Sequence, residues 1–509
     1  MKRRAHNRLI INFLFSLLMI AGLSSRLSAQ GSKNQEKPNI ILIYIDDMGY
    51  SDVSSYGKEF GQNLTETPNM DRLVKEGKKF TNGYASAPLC SPSRAALLTG
   101  KTPARLNFEF VTKNETDDYS WDDEEWIKKF EGYDLVPPPF TLNLPLEEVT
   151  VAEALKKGGY ETAISGKWHV AAHNKHYMGW STEFGPEHQG FDFAKETFGS
   201  HPYSYTVGGQ KKDTKEYKKG EYPVDALTNR AIDFLKQDHK KPFFLYVSHY
   251  YVHTPVEVNA QWLIDKYRKK AGPDLSEERV VYAAFVEIVD HYVGELLDAI
   301  DNEDLADDTV VILTSDNGGH PVYAFTRPFR GSKWNVYEGG IRVPFVVRWP
   351  GVVEAGSQSD APVSQVDLKP TFMDLAGVEN YEQGLDGKSI VPLFYDDEID
   401  TFKNRTLYWH FPYYHPEGGE FEKTQSHIGL ETGYVSQTLP QSAMRKGNLK
   451  LVYFYDGDKA ELYDLAKDPS EQNDLSSERP WDTQMMKAEL LQKLHEAGAR
   501  FPRVNSKKN

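Results

Sequence analysis

"KPNIILIYIDDMG", residues 37–49, is a continuous apolar run that stops at two aspartates and a glycine. A strand with one wet face alternates apolar and polar residues; this one does not. Runs buried on both faces belong to parallel sheets covered by helices on each side. The same logic recurs in "DTVVILTSDNGG" (308–319), in "KPFFLYVSHYYVHTP" (241–255) and, more weakly, in "YETAISGKWHV" (160–170). Between these runs lie helical patterns at 69–76, 150–157, 224–237 and 279–300. Alternating strands and helices predict an α/β fold with a mostly parallel sheet.

In open sheets of this kind, ligands bind beyond the carboxyl ends of the strands. Four such ends deliver Asp46 with Asp47, Lys167 with His169, His249 with His253, and Asp316 with Asn317. Each pair alone reads as a turn or a structural histidine. Their convergence reads as a site. Oxygen donors from Asp46, Asp47, Asp316 and Asn317 select a hard cation, Ca²⁺ before Mg²⁺, over zinc.

The single cysteine of 509 residues lies in "CSPSRAALLTG", 90–100. The segment reads as a helix start, with Ser91 and Ser93 as candidate caps and Pro92 in the first turn. One cysteine cannot form an internal disulfide. A soft thiolate is also a poor partner for an all-oxygen cation site. The conflict disappears only if residue 90 is no longer a thiol.

These motifs resemble the type I sulfatases of the alkaline phosphatase superfamily. The resemblance rests on Cys90-Ser91-Pro92-Ser93-Arg94 with Leu98-Thr99-Gly100, and on the ordered segments "NIILIYIDDMG", "GKWH", "PFFLYVSHYYVHTP", "VILTSDNGG", "RGSKWNVYEGGIRVPF" and "ELYDLAKDPSEQNDL". Lys101 stands where the family usually has arginine. The resemblance implies an alkaline-phosphatase-like fold and oxidation of Cys90 to Cα-formylglycine (3-oxoalanine) by a maturation enzyme. The aldehyde hydrate would present two hydroxyls, one an oxygen ligand for Ca²⁺ and nucleophile toward sulfur. Loss of the second hydroxyl's proton would release sulfate. By the same resemblance Asp46, Asp47, Asp316 and Asn317 hold Ca²⁺ together with residue 90. Arg94 holds the hydrate, Lys167 and Lys333 grip sulfate oxygens, and His169 takes the second hydroxyl's proton. His253 protonates the leaving oxygen. It is preferred to His249 because the family's histidine falls immediately before this x-Pro turn. His249, His173, Arg327 and Arg330 are candidate substrate contacts.

Residues 1–29 carry Lys2, Arg3, Arg4, Arg8 and Arg26 around an apolar stretch at 9–23, with Ala29 a plausible cleavage point. This is the layout of a secretory signal peptide. An exported, periplasmic or secreted protein is therefore expected. No later run approaches about 18 apolar residues, so no membrane span is expected in the mature chain. Loss of five cations would leave 54 basic against 74 acidic residues, a net charge of −20. Nucleic acid is excluded as a partner, because phosphate binding needs a basic surface. An anionic substrate must instead be drawn in by a local cationic pocket.

The expected organisation is a signal peptide at 1–29, a catalytic domain at 30–395 and a smaller α+β subdomain at 396–509 built on a short antiparallel sheet. Residues 101–148 form an insertion, read as a solvated acidic loop or as a cleft wall whose Trp121 and Trp126 stack on sugars. Tyr250, Tyr251 and "YWHFPYYH" (408–415) are further candidate sugar platforms. The expected substrate is a sulfated polysaccharide or its oligosaccharides, algal among the sources. Two rivals remain: a phosphoester or phosphonate hydrolase of the same superfamily, and a catalytically inactive glycan-binding relative.

Overall fold

The computed structural model describes residues 37–205, 213, 215–379, 384–395, 399–415 and 438–506. The expected leader at 1–29 lies outside these residues, as does residue 396, where the C-terminal subdomain is expected to begin.

The run at 39–45 forms β1 (Asn39–Ile45), at the centre of an eight-stranded sheet. The other strands are β2 (Lys78–Phe80), β3 (Glu161–Gly166), β4 (Phe193–Lys195), β5 (Phe243–Ser248), β6 (Thr309–Ser315), β7 (Phe345–Arg348) and β8 (Ser357–Ser359). Their order across the sheet is β8-β2-β7-β6-β1-β5-β3-β4. Only β7 runs antiparallel to its neighbours. The four apolar runs of the sequence are thus adjacent strands: β6, β1, β5 and β3.

Side chains of β1 alternate between two cores, as the period of a strand requires. Ile41, Ile43 and Ile45 pack with α4 (Ala226–Leu235) and α5 (Glu277–Asn302). Ile40, Leu42 and Tyr44 pack with α2 (Cys90–Thr99), α3 (Val151–Lys157) and α6 (Leu368–Leu375). Burial on both sides explains why the run carries no polar alternation. On the first side, α1 (Pro68–Glu76) lacks a cap from its own Thr67; Asp290 of α5 accepts from the Asn69 and Met70 amides instead. These amides are otherwise orphaned at a helix start.

Beyond the large sheet, β9 (Thr406–Phe411), β10 (Gln441–Lys446), β11 (Leu449–Phe454) and β12 (Lys459–Asp464) form an antiparallel meander. The helix α7 (Pro480–Ala497) covers one face of it through Met486, Leu490 and Leu494. The other face packs on Trp334, Val336, Tyr337 and Ile341, next to the loop that carries Lys333. Among the described residues, no helix is long and apolar enough to cross a membrane.

Candidate active site

All four strand ends meet at one place. Asp46 and Asp47 follow β1, Asp316 and Asn317 follow β6, Lys167 follows β3, and His249 and His253 follow β5. Gly166 makes the turn after β3 at φ 109°, where a Cβ would lie 2.0 Å from the Ser248 carbonyl. Only glycine lets the two strand ends come so close. Gly318 plays the same part after Asn317, since a Cβ there would lie 2.0 Å from the Gly339 carbonyl. Asp47 (φ 60°), His169 (φ 55°) and Trp334 (φ 73°) occupy the left-handed region without being glycine. Such strain gathers where a side chain must be aimed.

The helix α2 begins at Cys90 itself, with Leu89 as the cap residue and no side-chain cap. This corrects the expected role of the serines. Ser93 is instead bonded to the Ala87 carbonyl and amide, each at 3.0 Å, and the Ser91 hydroxyl accepts from the Thr112 amide. Both serines fix the loops flanking the cysteine. They leave it at the positive end of the helix dipole.

Cys90 Sγ lies 3.7 Å from Asp47 Oδ1, and donor atoms of Asp46, Asp47, Cys90 and Asp316 all lie within 4.8 Å of one another. Three cations face these carboxylates. Lys167 Nζ is 2.6 Å from Asp46, Lys333 Nζ 2.7 Å from Asp47, and Arg94 binds Asp316 through Nη2 at 2.8 Å and Nε at 3.2 Å. Arg94 Nη1 donates to Ser248 at 2.6 Å, which fixes the fork. Burial alone would raise Asp47, yet Lys333, His253 and Lys167 hold its carboxyl below the usual range. Burial and the neighbouring Asp46 push Asp316 up to about 7. Burial also drives the Cys90 thiol well up, so the sulfur stays protonated.

Two oxygens in this cluster, Asp46 Oδ1 and Asn317 Oδ1, are buried with no hydrogen-bond partner. Buried polar atoms are otherwise paired as a rule. An orphaned carboxylate oxygen and an orphaned amide oxygen, with two further carboxylates close by, fit a hard divalent cation.

Above the cluster opens a cleft of about 730 Å³. Cys90, His169, His253 and Lys333 reach its surface, together with His173, Tyr177, Tyr203, His320 and Trp334. His253 Nδ1 is 2.7 Å from both the Thr254 carbonyl and the Tyr203 hydroxyl. A carbonyl only accepts, so the proton is fixed on Nδ1 and Nε2 is left to exchange one. That nitrogen lies 3.6 Å from Asp47. His169 Nδ1 has no hydrogen-bond partner, and burial with the Lys167 charge keeps the ring neutral. Its ring stacks on His173 at 5.7 Å.

The family model described as sulfatase matches residues 38–378, well over half of the chain. The chain belongs to the sulfatase family. A second model, described as N-sulphoglucosamine sulphohydrolase, C-terminal, matches residues 331–500. Human arylsulfatase A is 30% identical, with 88% of this chain and 85% of that protein covered. A sulfatase of Formosa agariphila is 29% identical over 92% of this chain and 89% of its own. The crystal structure of Ps i-CgsB in complex with k-i-k-neocarrahexaose is 27% identical, with a TM-score of 0.68, 90% of this chain and 93% of that chain covered. The activity is that of a sulfuric ester hydrolase.

Several residues of this sulfatase lie elsewhere than expected. Lys167 is fully buried beneath the cleft, engaged by Asp46 rather than lining the surface. His249 points into the core beside Tyr292, so it is no substrate contact. Arg330 turns away to the C-terminal sheet, where it binds the Tyr463 hydroxyl at 3.0 Å. Arg327 is exposed and outside the cleft wall. Trp126 is buried, donating to the Pro137 carbonyl, and Arg503 covers the Trp121 ring. Tyr250 and Tyr251 are core residues. Of the candidate substrate contacts, only His173 lines the cleft.

Sequence reading missed Tyr177, Tyr203, His320 and Lys113. Nothing in their local sequence marks them. The insertion does form a cleft wall, but through residues 110–114 rather than its tryptophans. The Asn114–His173 bridge and the hydrogen bond from His173 N to Lys113 O attach it there.

Proposed function

We propose that this sulfatase is exported, that it works as a Ca²⁺ enzyme on a formylglycine made from Cys90, and that it removes sulfate from a sulfated polysaccharide or its oligosaccharides. One observation carries the reading. The only cysteine stands at the dipole-positive start of a helix, against three carboxylates, with its thiol held protonated by burial. A neutral thiol is neither a nucleophile nor a cation ligand. An aldehyde hydrate at position 90 supplies an oxygen nucleophile with a second hydroxyl for release of sulfate. Asp46, Asp47, Asp316 and Asn317 would hold Ca²⁺, which lowers the pKa of a hydroxyl bound to it and draws charge from the sulfate.

The remaining work belongs to the chain's own side chains. Arg94, locked by Asp316 and Ser248, sits behind residue 90 and offsets the carboxylates. Lys333, at the cleft surface, meets the sulfate oxygens as charge builds on them. A preorganised cation of this kind is worth roughly 3 kcal/mol. His253 turns Nε2 to the leaving oxygen, oriented through Nδ1, and in its imidazolium form gives that oxygen a proton. His169, neutral and without a partner on Nδ1, accepts the proton whose loss frees the product sulfate. Lys167 stabilises Asp46 from below.

The glycan substrate is supported by the relative in complex with neocarrahexaose and by N-acetylgalactosamine-6-sulfatase of Homo sapiens, 32% identical over 70% of this chain. Export is supported by the charge and apolar layout of residues 1–29. Matured protein with Ca²⁺ should free sulfate from at least one class of sulfated oligosaccharide and hydrolyse an aryl sulfate faster than the matching aryl phosphate. The tryptic peptide containing Cys90 should be lighter than encoded after co-production with a maturation enzyme. An active preparation whose residue 90 is wholly thiol sinks the reading.

A further inference from the structure

A second cavity, of about 580 Å³, adjoins the cleft, and the two share Phe110, Lys113 and Asn114. Small-molecule sites typically enclose about 300–1,000 Å³, so each cavity by itself has the size of a ligand site. The second is built by the 101–148 insertion on one side and by Tyr413, Tyr414 and His415, just past β9, on the other. Its wall is aromatic. Tyr133 packs against Tyr414 with ring centroids 4.3 Å apart, and Phe110 stacks on Phe140 at 4.8 Å. Tyr133 remains 42% exposed, an unusual state for a large ring whose only task is packing.

Charge is sorted within the insertion. As a sequence it is strongly acidic, yet Asp118, Asp122, Glu124 and Glu125 are exposed and none of them lines the cavity. Lys113 and Lys129 do, with Asp117 the one carboxylate on the wall. On a chain of net charge −15, a groove that turns lysines and ring faces toward the same space selects an anionic ligand with flat apolar faces. Sugar rings carrying sulfate groups have both properties. Continuity with the cleft fixes which sugar it is.

We infer that the second cavity binds the residue next to the sugar that loses its sulfate, so the natural substrate is an anionic glycan chain of at least two residues rather than an isolated sulfate ester. The inference rests on the glycan-sulfatase reading above and adds a specificity site to it. Lys113 and Lys129 meet an anionic substituent of the neighbouring sugar, and Tyr133 offers it a stacking face. Binding energy from this remote residue raises turnover of long substrates over short ones.

The test compares 4-nitrophenyl sulfate with sulfated monosaccharides and disaccharides from carrageenan and from glycosaminoglycans. It uses the matured full chain and the variants Tyr133→Ala and Lys129→Gln, both at exposed positions. In the wild type, kcat/KM for the preferred class should rise roughly tenfold or more from monosaccharide to disaccharide. Each variant should lower the ratio of disaccharide to aryl sulfate kcat/KM by roughly fivefold, a typical loss for one contact at a binding surface. Equal kcat/KM for the two lengths, or an unchanged ratio in both variants, overturns the second-cavity inference and leaves the glycan reading intact. Aryl sulfate turnover with no oligosaccharide processed overturns the glycan reading and the inference together.

Discussion

Two clusters of buried charge flank the loop that carries Lys333, and they follow opposite rules. In the cleft cluster, three carboxylates face two lysines and an arginine, two oxygens lack hydrogen-bond partners, and one side opens to solvent. In the second cluster, behind Trp334, Glu338 is closed in by its partners. Lys450 donates to it at 2.8 Å, the Tyr84 hydroxyl donates at 2.8 Å, and Arg342 lies 3.2 Å away. Lys450 also pairs with Glu471 at 2.9 Å, and Glu471 accepts from the Glu338 amide at 2.6 Å. Burial alone would raise Glu338, yet Lys450, Arg342 and Arg445 hold it at about 2. The contrast teaches how to read buried charge. A sealed cluster, in which even Glu471 Oε1, without a hydrogen bond, has the Lys450 ammonium at 2.9 Å, joins two layers of structure, whereas a cluster whose Asp46 Oδ1 has no cation nearer than 3.6 Å, under an open cleft, suits a ligand.

The sharpest way to break this contrast is Cys90→Ala. Turnover should fall by at least about 10⁴-fold, as when a nucleophile is removed, with the melting temperature little changed. A large drop in melting temperature would mean that the cleft cluster is structural after all. Next comes Lys450→Met in the sealed cluster. It leaves Glu338 and Glu471 without their shared cation and should cost about 3–5 kcal/mol in denaturant unfolding. Activity per folded molecule should persist at low denaturant; its abolition in fully folded protein would show the sealed cluster to be catalytic. Lys333→Ala should lower kcat roughly 10²–10³-fold, the loss seen when one oxyanion donor is deleted.

A third kind of buried acid sharpens the comparison further. Asp290 is bonded by the Asn69 and Met70 amides and the Asn69 side chain, all of them neutral donors, and burial pushes it up to about 7. A carboxyl raised above its unfolded value contributes stability that is present near pH 4 and lost as pH rises toward 7. Between those values wild-type stability should fall relative to Asp290→Asn by up to about 1.4 kcal/mol per pH unit. Parallel stability curves for the two proteins would show Asp290 ionised throughout.

Much of the central sheet was legible because its rules are local. An apolar run ending in "DD" or "DNGG" reports both a doubly buried strand and what its end presents. The cleft's outer wall was not legible. Tyr203 reaches His253 across 50 positions of sequence and Lys113 meets His173 across 60, and no local periodicity encodes such contacts. Arg330 and Trp126 misled for a related reason. A cation or a ring has several places to go, and packing decided both, Arg330 with Tyr463 far along the chain and Trp126 with Pro137 inside the insertion. The serines of "CSPSR" looked like caps because serine commonly is one; here tertiary hydrogen bonds to Ala87 and Thr112 took precedence.

The loop that presents Lys333 is held from far down the chain. Thr438 donates to the Trp334 carbonyl, the Gln441 side chain accepts from the Val336 amide, and Glu471 accepts from the Glu338 amide. A nascent polypeptide that has emerged only through residue 437 already carries Asp46, Asp47, Asp316, His169 and His253, and the amides of Lys333 and Trp334 already have the Gly319 and Pro88 carbonyls to bond, but the C-terminal anchors of the loop are still missing. Full anchoring of this loop therefore waits for residues 438–471, more than 100 positions after the lysine they steady.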